Sequence, residues 1–380
     1  MKNNDFVYLD YNATTPADPR VLEAMLPYFN GLYANPGSSH LFGLTVRESV
    51  EEAAEAVAEL IGADSGEVIF TSGATESVNL ALKGFREKDK KHIVTVATEH
   101  KAVLDTCLQL QNDGFRVDYL NVDQSGNINL SELESLIDER TLMVCIMFVN
   151  NETGVIHPIK EITELAHRNS CYVFCDATQA VGKMPVNVQE LGIDLMAFSA
   201  HKFYGPKGVG GLYISSALKS KIQAQVQGGG QQNDLRSGTL NVPGIVALGK
   251  AAQIATAEME KDSQQIKQLR DLLESELLKI PQTSINGDYS ERIFNTANIC
   301  FKGINSEELI LSLGNICVSS GSACNAVTTR PSHVLQAMGM SDADALSSIR
   351  FSIGKYTTLQ EIETAVEKIR KTVVLLRDRC

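Results

Sequence analysis

The chain has 380 residues, 43% hydrophobic and 21% charged, a balance that excludes disorder, leaves room for two hydrophobic cores and is too polar for a membrane protein. Its 46 acidic and 34 basic residues give a formal net charge of −12. With no Lys/Arg block to interrupt it, that field repels polyanions and argues against direct binding of nucleic acid. The longest nearly unbroken apolar run, Leu142 to Val149, is far shorter than the ~20 residues of a spanning helix. No charged-then-apolar leader is evident either, so a cytoplasmic protein with no membrane association is expected. The eight cysteines at 107, 145, 171, 175, 300, 317, 324 and 380 are scattered, as reduced thiols are, rather than arranged as a disulfide framework. Cys171 and Cys175 lack a second Cys/His pair at metal-binding spacing, and their apolar run Cys-Tyr-Val-Phe-Cys reads as buried strand thiols; no metal is expected.

From about residue 38 to 254, helix-period segments alternate with short apolar runs, the pattern of a sheet layered by helices. Val46, Val50, Ala53, Ala54, Val57, Leu60 and Ile61 recur at three and four, predicting an amphipathic helix that starts at Ser38 or Ser39 and stops at Gly62. A strand within Glu67 to Gly73 leads through a tight turn into a helix around Val78, Ala81, Leu82 and Phe85. Further strands are predicted within His92 to Thr98, Arg116 to Val122, Leu142 to Val149, Cys171 to Thr178, Asp194 to Ser199 and Gly208 to Ile214, giving one seven-stranded sheet. A long helix-period stretch, Ile245 to Ile280, then bridges to a smaller α+β part with apolar pieces at Thr296 to Phe301 and Ile316 to Ser319 and helices near Ser306 to Leu313 and Thr358 to Leu376. The expected division is a large α/β domain over 16–254 and a small α+β domain made of 1–15 and 255–380.

In open α/β sheets ligands bind beyond the carboxyl ends of the strands, so the turns after each strand hold the candidates. Thr71-Ser-Gly-Ala-Thr75 lets backbone N–H groups at a helix start approach a phosphate. His100 follows one strand as an imidazole at a helix start. Asp176 closes the apolar strand Tyr172 to Cys175, where a lone carboxylate is costly, so a cationic partner is expected. Lys202 emerges among the small residues of Ser199-Ala-His-Lys202 and Gly-Pro-Lys-Gly, placed as a reactive amine. Gly205-Pro-Lys-Gly208 lacks the spacing and Lys-Ser/Thr ending of a P-loop, and Tyr213 stands where a dinucleotide fingerprint needs its third glycine. Pyridoxal phosphate fits all four turns: a helix N-terminus for its phosphate, an amine for its aldehyde, an acid for its pyridinium nitrogen and an aromatic side chain over its ring.

On these residues the chain resembles the pyridoxal-phosphate-dependent cysteine desulfurases of the nitrogen-fixation and iron–sulfur-cluster type, within the class V aminotransferase family. The resemblance runs through Tyr8-Leu-Asp-Tyr-Asn-Ala-Thr-Thr-Pro16, Asn35-Pro-Gly-Ser-Ser-His40, Ser72-Gly-Ala-Thr-Glu-Ser77, Thr98-Glu-His100, Asn150-Asn-Glu152 and Asp176-Ala-Thr-Gln179. It continues through Ser199-Ala-His-Lys202, Gly228-Gly-Gly230, Arg236-Ser-Gly-Thr239, Ser319-Ser-Gly-Ser-Ala-Cys324 and Arg350-Phe-Ser-Ile-Gly354. It implies an α/β protein of transferase fold type I, with a large, mostly parallel seven-stranded sheet domain and a small α+β domain.

The resemblance also implies roles. Lys202 would hold the cofactor covalently and move protons, His100 would stack on its ring and assist acid–base steps, Asp176 would keep its nitrogen protonated, and Gln179 would hydrogen-bond its phenolate. Ala74, Thr75, Ser199 and His201 would take the phosphate, with Thr239 reaching it from the other subunit of a homodimer. Asn151 and Arg350 would take the substrate carboxylate. Cys324, in a stretch almost without packing side chains and so expected to be mobile, would attack the sulfur of L-cysteine, leaving a persulfide and alanine. Cys317, between Ile316 and Val318, reads as a structural thiol.

The long segment between Cys324 and Pro331 resembles the family's first group, which supplies iron–sulfur assembly. Three departures stand out: Ala200 where glycine is common, Gln231-Gln-Asn-Asp234 after the triple glycine where Gln-Glu-Arg-Gly is usual, and Thr328-Thr-Arg330 before the proline. None removes a catalytic group, but they bear on the sulfur-acceptor protein, an iron–sulfur scaffold or a thiolation or phosphorothioation partner. The alternatives are a selenocysteine lyase or an aminotransferase on the same cofactor.

Overall fold

Runs of apolar residues buried on both sides build the centre of the fold. The computed structural model describes residues 5–85, 87, 89–320 and 330–378. Twelve strands run through them: β1 (Val7–Tyr8), β2 (Val68–Thr71), β3 (His92–Val96), β4 (Arg116–Leu120), β5 (Thr141–Met147), β6 (Tyr172–Asp176), β7 (Leu195–Ser199), β8 (Gly210–Ile214), β9 (Thr283–Asn286), β10 (Thr296–Phe301), β11 (Ile316–Cys317) and β12 (Ser348–Ser352). β2 to β8 are the seven runs expected from the sequence, joined in the order β2-β8-β7-β6-β5-β3-β4. Neighbours from β7 through β4 are parallel, whereas β8 runs antiparallel to both β2 and β7.

Alternate residues of these strands face opposite cores. Val94, Val144, Val173, Met196 and Phe198 pack on one side with the helices Leu41–Ile61 and Val242–Leu277. Ile93, Cys145, Phe174, Leu195 and Ala197 pack on the other with Ala74–Gly84 and Lys101–Asn112. A sheet covered on both faces has no solvated side to mark with polar residues, which is why its strands read as continuous apolar runs. Phe174 and Phe198 are fully buried, and truncating either to Ala is expected to cost about 3–5 kcal/mol.

The helix Leu41–Ile61 ends at Gly62 as expected, with φ of 67°, a conformation glycine adopts without Cβ strain. Its start differs from the sequence expectation. His40, not Ser38 or Ser39, is the cap, its Nδ1 accepting the Gly43 N–H at 3.1 Å. Ser38 belongs to the preceding turn, its N–H bonded to Asn35 O at 3.0 Å.

A second core gathers Val7, Leu9, Ile299, Phe301, Phe351 and Ile369. Above it lie the antiparallel sheet β12-β10-β9 and the parallel pair β1-β11. The helix Val242–Leu277 has 36 residues, about 54 Å at 1.5 Å per residue. It buries Ile245, Leu248 and Ala252 in the first core and Ile266, Leu273 and Leu277 in the second. Residue 254, where the sequence reading divides the chain, falls inside it.

Candidate active site

The strand order brings the carboxyl ends of β2, β6 and β7 to one edge of the sheet. Thr71 ends β2 and Ser199 ends β7, and both lie opposite Gly210 at the start of β8; Asp176 ends the next strand, β6. The turn 72–74 sits so close to β8 that a Cβ on Gly210 would lie 2.7 Å from Gly73 Cα and 2.5 Å from Phe198 O. This approach sets Ala74 N–H against Ser199 Oγ at 2.7 Å and aims the positive N-terminal end of the helix Ala74–Gly84 at the space beyond.

That space is a cavity of about 280 Å³. Ala74, Thr75, Ser199, His100, Asp176, Gln179, His201, Lys202, Asn151 and Arg350 all line it. Lys202 Nζ donates to Asn12 O at 2.6 Å and to Ala13 O at 2.9 Å. His100 caps the helix Lys101–Asn112, its Nδ1 accepting the Ala102 N–H at 3.1 Å. With Nδ1 used as an acceptor, the neutral ring carries its proton on Nε2. His201 Nδ1 lies 3.1 Å from Thr14 Oγ1.

Lys101, Lys202 and Arg350 line the cavity together with the carboxylates of Glu152 and Asp176. His201 is pushed down to about 4 by burial, with Lys202, Lys207 and Lys183 adding to the effect. His100 is also lowered, chiefly by burial; Asp176 opposes the shift, and Lys202 and His333 reinforce it. Asp176 is 6% exposed and accepts the Thr178 N–H at 3.0 Å. The cationic partner expected for it is not found: among the described residues no ion pair reaches its carboxylate. Arg350 is buried between Asp10, 2.7 Å from one Nη, and Asn151 O, 3.0 Å from the other. Its Nε has no partner among the described residues. A buried acid facing the cavity without a cation, and a buried guanidinium with a donor unused, are polar groups of the kind a charged ligand would satisfy.

Comparison with known proteins decides the family. The model of the class-V aminotransferases matches residues 7–364. The chain belongs to that family. As a class-V aminotransferase relative it is 47% identical over 378 residues to the protein named cysteine desulfurase IscS of Salmonella typhi, covering 98% of this chain and 94% of that one. A solved NifS-like protein matches it with a TM-score of 0.92 at 40% identity, over 98% of this chain and all of the other. The structure titled SspA in complex with cysteine matches with a TM-score of 0.82 at 36% identity, over 92% and 99%. The seven-stranded, mostly parallel sheet expected from the sequence is thus both the observed fold and that of structurally similar proteins.

One of the expected residues of this class-V chain stands apart from the cavity. Thr239 is exposed and does not line it. Cys324, with the expected mobility of its loop, lies outside the described residues. Cys317 is half-buried in β11, and burial raises its pKa; Cys171 and Cys175 are buried thiols, as expected. The sequence reading missed Asn12, whose backbone O receives Lys202, and His333, which lines the cavity and bonds Glu99 O through Nε2 at 3.0 Å. It also missed Lys183, buried behind Gln179. Only the unbalanced charge of Lys183 in the apolar stretch Ala180-Val-Gly-Lys183 was a usable signal.

Proposed function

We propose that the chain is a pyridoxal-phosphate-dependent cysteine desulfurase, converting L-cysteine to L-alanine with the sulfur passing to Cys324 and then to an acceptor protein. The observation that carries this reading is the meeting, in one cavity, of the Lys202 amine, the Asp176 carboxylate and the helix N-terminus at Ala74, in a chain 47% identical to proteins named cysteine desulfurase. Pyridoxal phosphate supplies an electron sink for the Cα of a bound amino acid. The donor set fits that group: the helix N-terminus at Ala74 with Ser199 and Lys202 suits a phosphate, and Asp176, buried without a cation among the described residues, suits a pyridinium N–H.

In this reading Lys202 holds the cofactor and, when released from it, takes and returns the Cα proton. Ala74 and Thr75 offer the helix N-terminus to the phosphate, and Ser199 and His201 add side chains. Thr239, exposed on its own chain, serves the cavity of a second copy in a homodimer. Asp176 holds a proton on the ring nitrogen, and Gln179 donates to the ring oxygen. His100, with Nδ1 tied to its helix cap, presents a single N–H and acts over the ring as a donor. Arg350 and Asn151 receive the substrate carboxylate.

Cys324 supplies what an aminotransferase lacks. Its thiolate attacks the substrate sulfur, an S–S bond forms as the C–S bond breaks, and the three-carbon remainder takes up protons to leave as alanine. The direct test is turnover of L-cysteine by the purified, cofactor-loaded protein. With an added dithiol, which reduces the Cys324 persulfide back to the thiol and is itself oxidised to a disulfide, alanine and sulfide are expected in equal amounts, and Cys324→Ser should keep the coloured cofactor while forming no persulfide. A keto acid as product would show an aminotransferase instead, and full sulfide release by Cys324→Ser would remove that thiol from the reaction. None of the described helices is long and apolar enough to cross a membrane; we place the protein, with its acceptor, in the cytoplasm.

A further inference from the structure

Behind the cavity wall lies a second lysine. Lys183 is 8% exposed and does not line the cavity. Its Nζ is 2.5 Å from Gln179 Oε1 and 3.5 Å from Asn12 Oδ1. Both partners are neutral oxygens, and no carboxylate pairs with it among the described residues. A buried amine without a counterion is costly to retain for packing alone, since a Met of similar length would fill the space without a polar head.

The geometry around Gln179 gives the amine a task. Gln179 Nε2 donates to Asn12 O at 3.0 Å while its Oε1 receives Lys183. Turning the amide over would set its NH₂ against the lysine donor and its carbonyl against the Asn12 carbonyl, repulsive at both ends. The amide is therefore fixed in one orientation. One hydrogen of Nε2 goes to Asn12 O, and the other remains for the cavity that Gln179 lines. A neutral Lys183 could accept from a flipped amide but still has N–H bonds to give, and the Asn12 carbonyl rejects the flip in either state, so the arrangement survives even though burial, followed by the nearby Lys202 and Arg350, holds its pKa well below the ordinary lysine value.

We infer that Lys183 is a positioning residue that locks the Gln179 amide with its donor toward the cofactor ring oxygen. The inference rests on the role proposed above for Gln179. A donor at that oxygen stabilises its anionic form, which lowers the pH at which the bound cofactor changes colour.

The test titrates the visible absorption of four cofactor-loaded proteins: wild type, Lys183→Met, Gln179→Leu and the double variant. Both single variants should raise the midpoint by roughly one pH unit, a tenfold change in the proton equilibrium. The double variant should move it no further, because the two residues act through one contact. The affinity of each apo-protein for pyridoxal phosphate should weaken in the same pattern. Lys183→Arg, which keeps N–H donors, should restore most of the wild-type midpoint. Lys183→Gln, too short to reach Gln179, carries the same expectation as the Met variant should that protein not fold.

A shift from Gln179→Leu with none from Lys183→Met overturns the positioning role and leaves the function of Gln179 standing. A Lys183→Met shift that recurs undiminished in the Gln179→Leu background also overturns it, since the lysine would then act by its charge on the cofactor. No shift from Gln179→Leu itself removes the assignment on which both stand.

Discussion

Ser319 and Arg350 exchange both of their backbone hydrogen bonds, Arg350 N–H to Ser319 O at 2.7 Å and Ser319 N–H to Arg350 O at 3.3 Å. The chain entering segment 321–329, which carries Cys324, is thereby fastened to the strand residue whose guanidinium reaches the cavity. One strand position thus fixes both the proposed carboxylate donor and the residue from which the chain enters the segment proposed to carry sulfur.

That linkage separates the guanidinium's work from the backbone's. Arg350→Lys leaves the backbone pair in place and keeps a cation for Asp10, but it loses the planar set of donors shared among Asp10, Asn151 O and the cavity. Steady-state kinetics should show KM for L-cysteine raised by about tenfold to a hundredfold, the loss of one charge-assisted hydrogen bond, with cofactor affinity unchanged. An unaltered KM would take the substrate carboxylate away from Arg350.

Gly210 is the point at which the sheet admits the turn proposed to hold the phosphate. In Gly210→Ala the added Cβ would meet Phe198 O at 2.5 Å and Gly73 Cα at 2.7 Å, and backbone on both sides must shift. Since the displaced turn carries Ala74 N–H and its bond to Ser199 Oγ, pyridoxal phosphate should bind at least about tenfold more weakly. Equilibrium titration of the apo-protein checks this, and wild-type affinity would show that the turn does not hold the phosphate.

His157 is a stability switch that does not itself line the cavity. It is 1% exposed with neither ring nitrogen partnered among the described residues, and burial pushes it down to about 4. The unfolded chain, with a pKa near 6.5, binds the proton more readily, so stability is complete above about pH 6.5 and falls as the pH drops toward 4. Between pH 7 and pH 5 this one group should cost about 2 kcal/mol. Urea denaturation of His157→Leu should show that much less acid sensitivity than wild type, and an identical pH dependence would refute the assignment.

The large sheet was legible because strands such as Thr141–Met147 are buried on both faces and carry little else but apolar residues. β12 was not, because Ser348, Arg350 and Ser352 are polar yet buried, satisfied by partners remote in sequence such as Asn286 and Asp10. Among site residues, those at strand ends could be found from sequence. Asn12 could not, since its partners depend on how distant segments meet, and Lys183 left only an unbalanced charge in an apolar stretch. The unusual segment 231–234 acquires a structural reason: Gln232 accepts the Phe70 N–H at 2.6 Å and donates to Phe70 O at 2.8 Å, covering the open edge of β2. Gln232, Asn233 and Asp234 all take positive φ to bring it there.

Covalent trapping of the cofactor is the most direct test of the account. The purified protein is mixed with pyridoxal phosphate, reduced with borohydride, digested and mapped by mass spectrometry. The pyridoxyl group is expected on the peptide carrying Lys202; its attachment at Lys183, or at no lysine, would contradict the account.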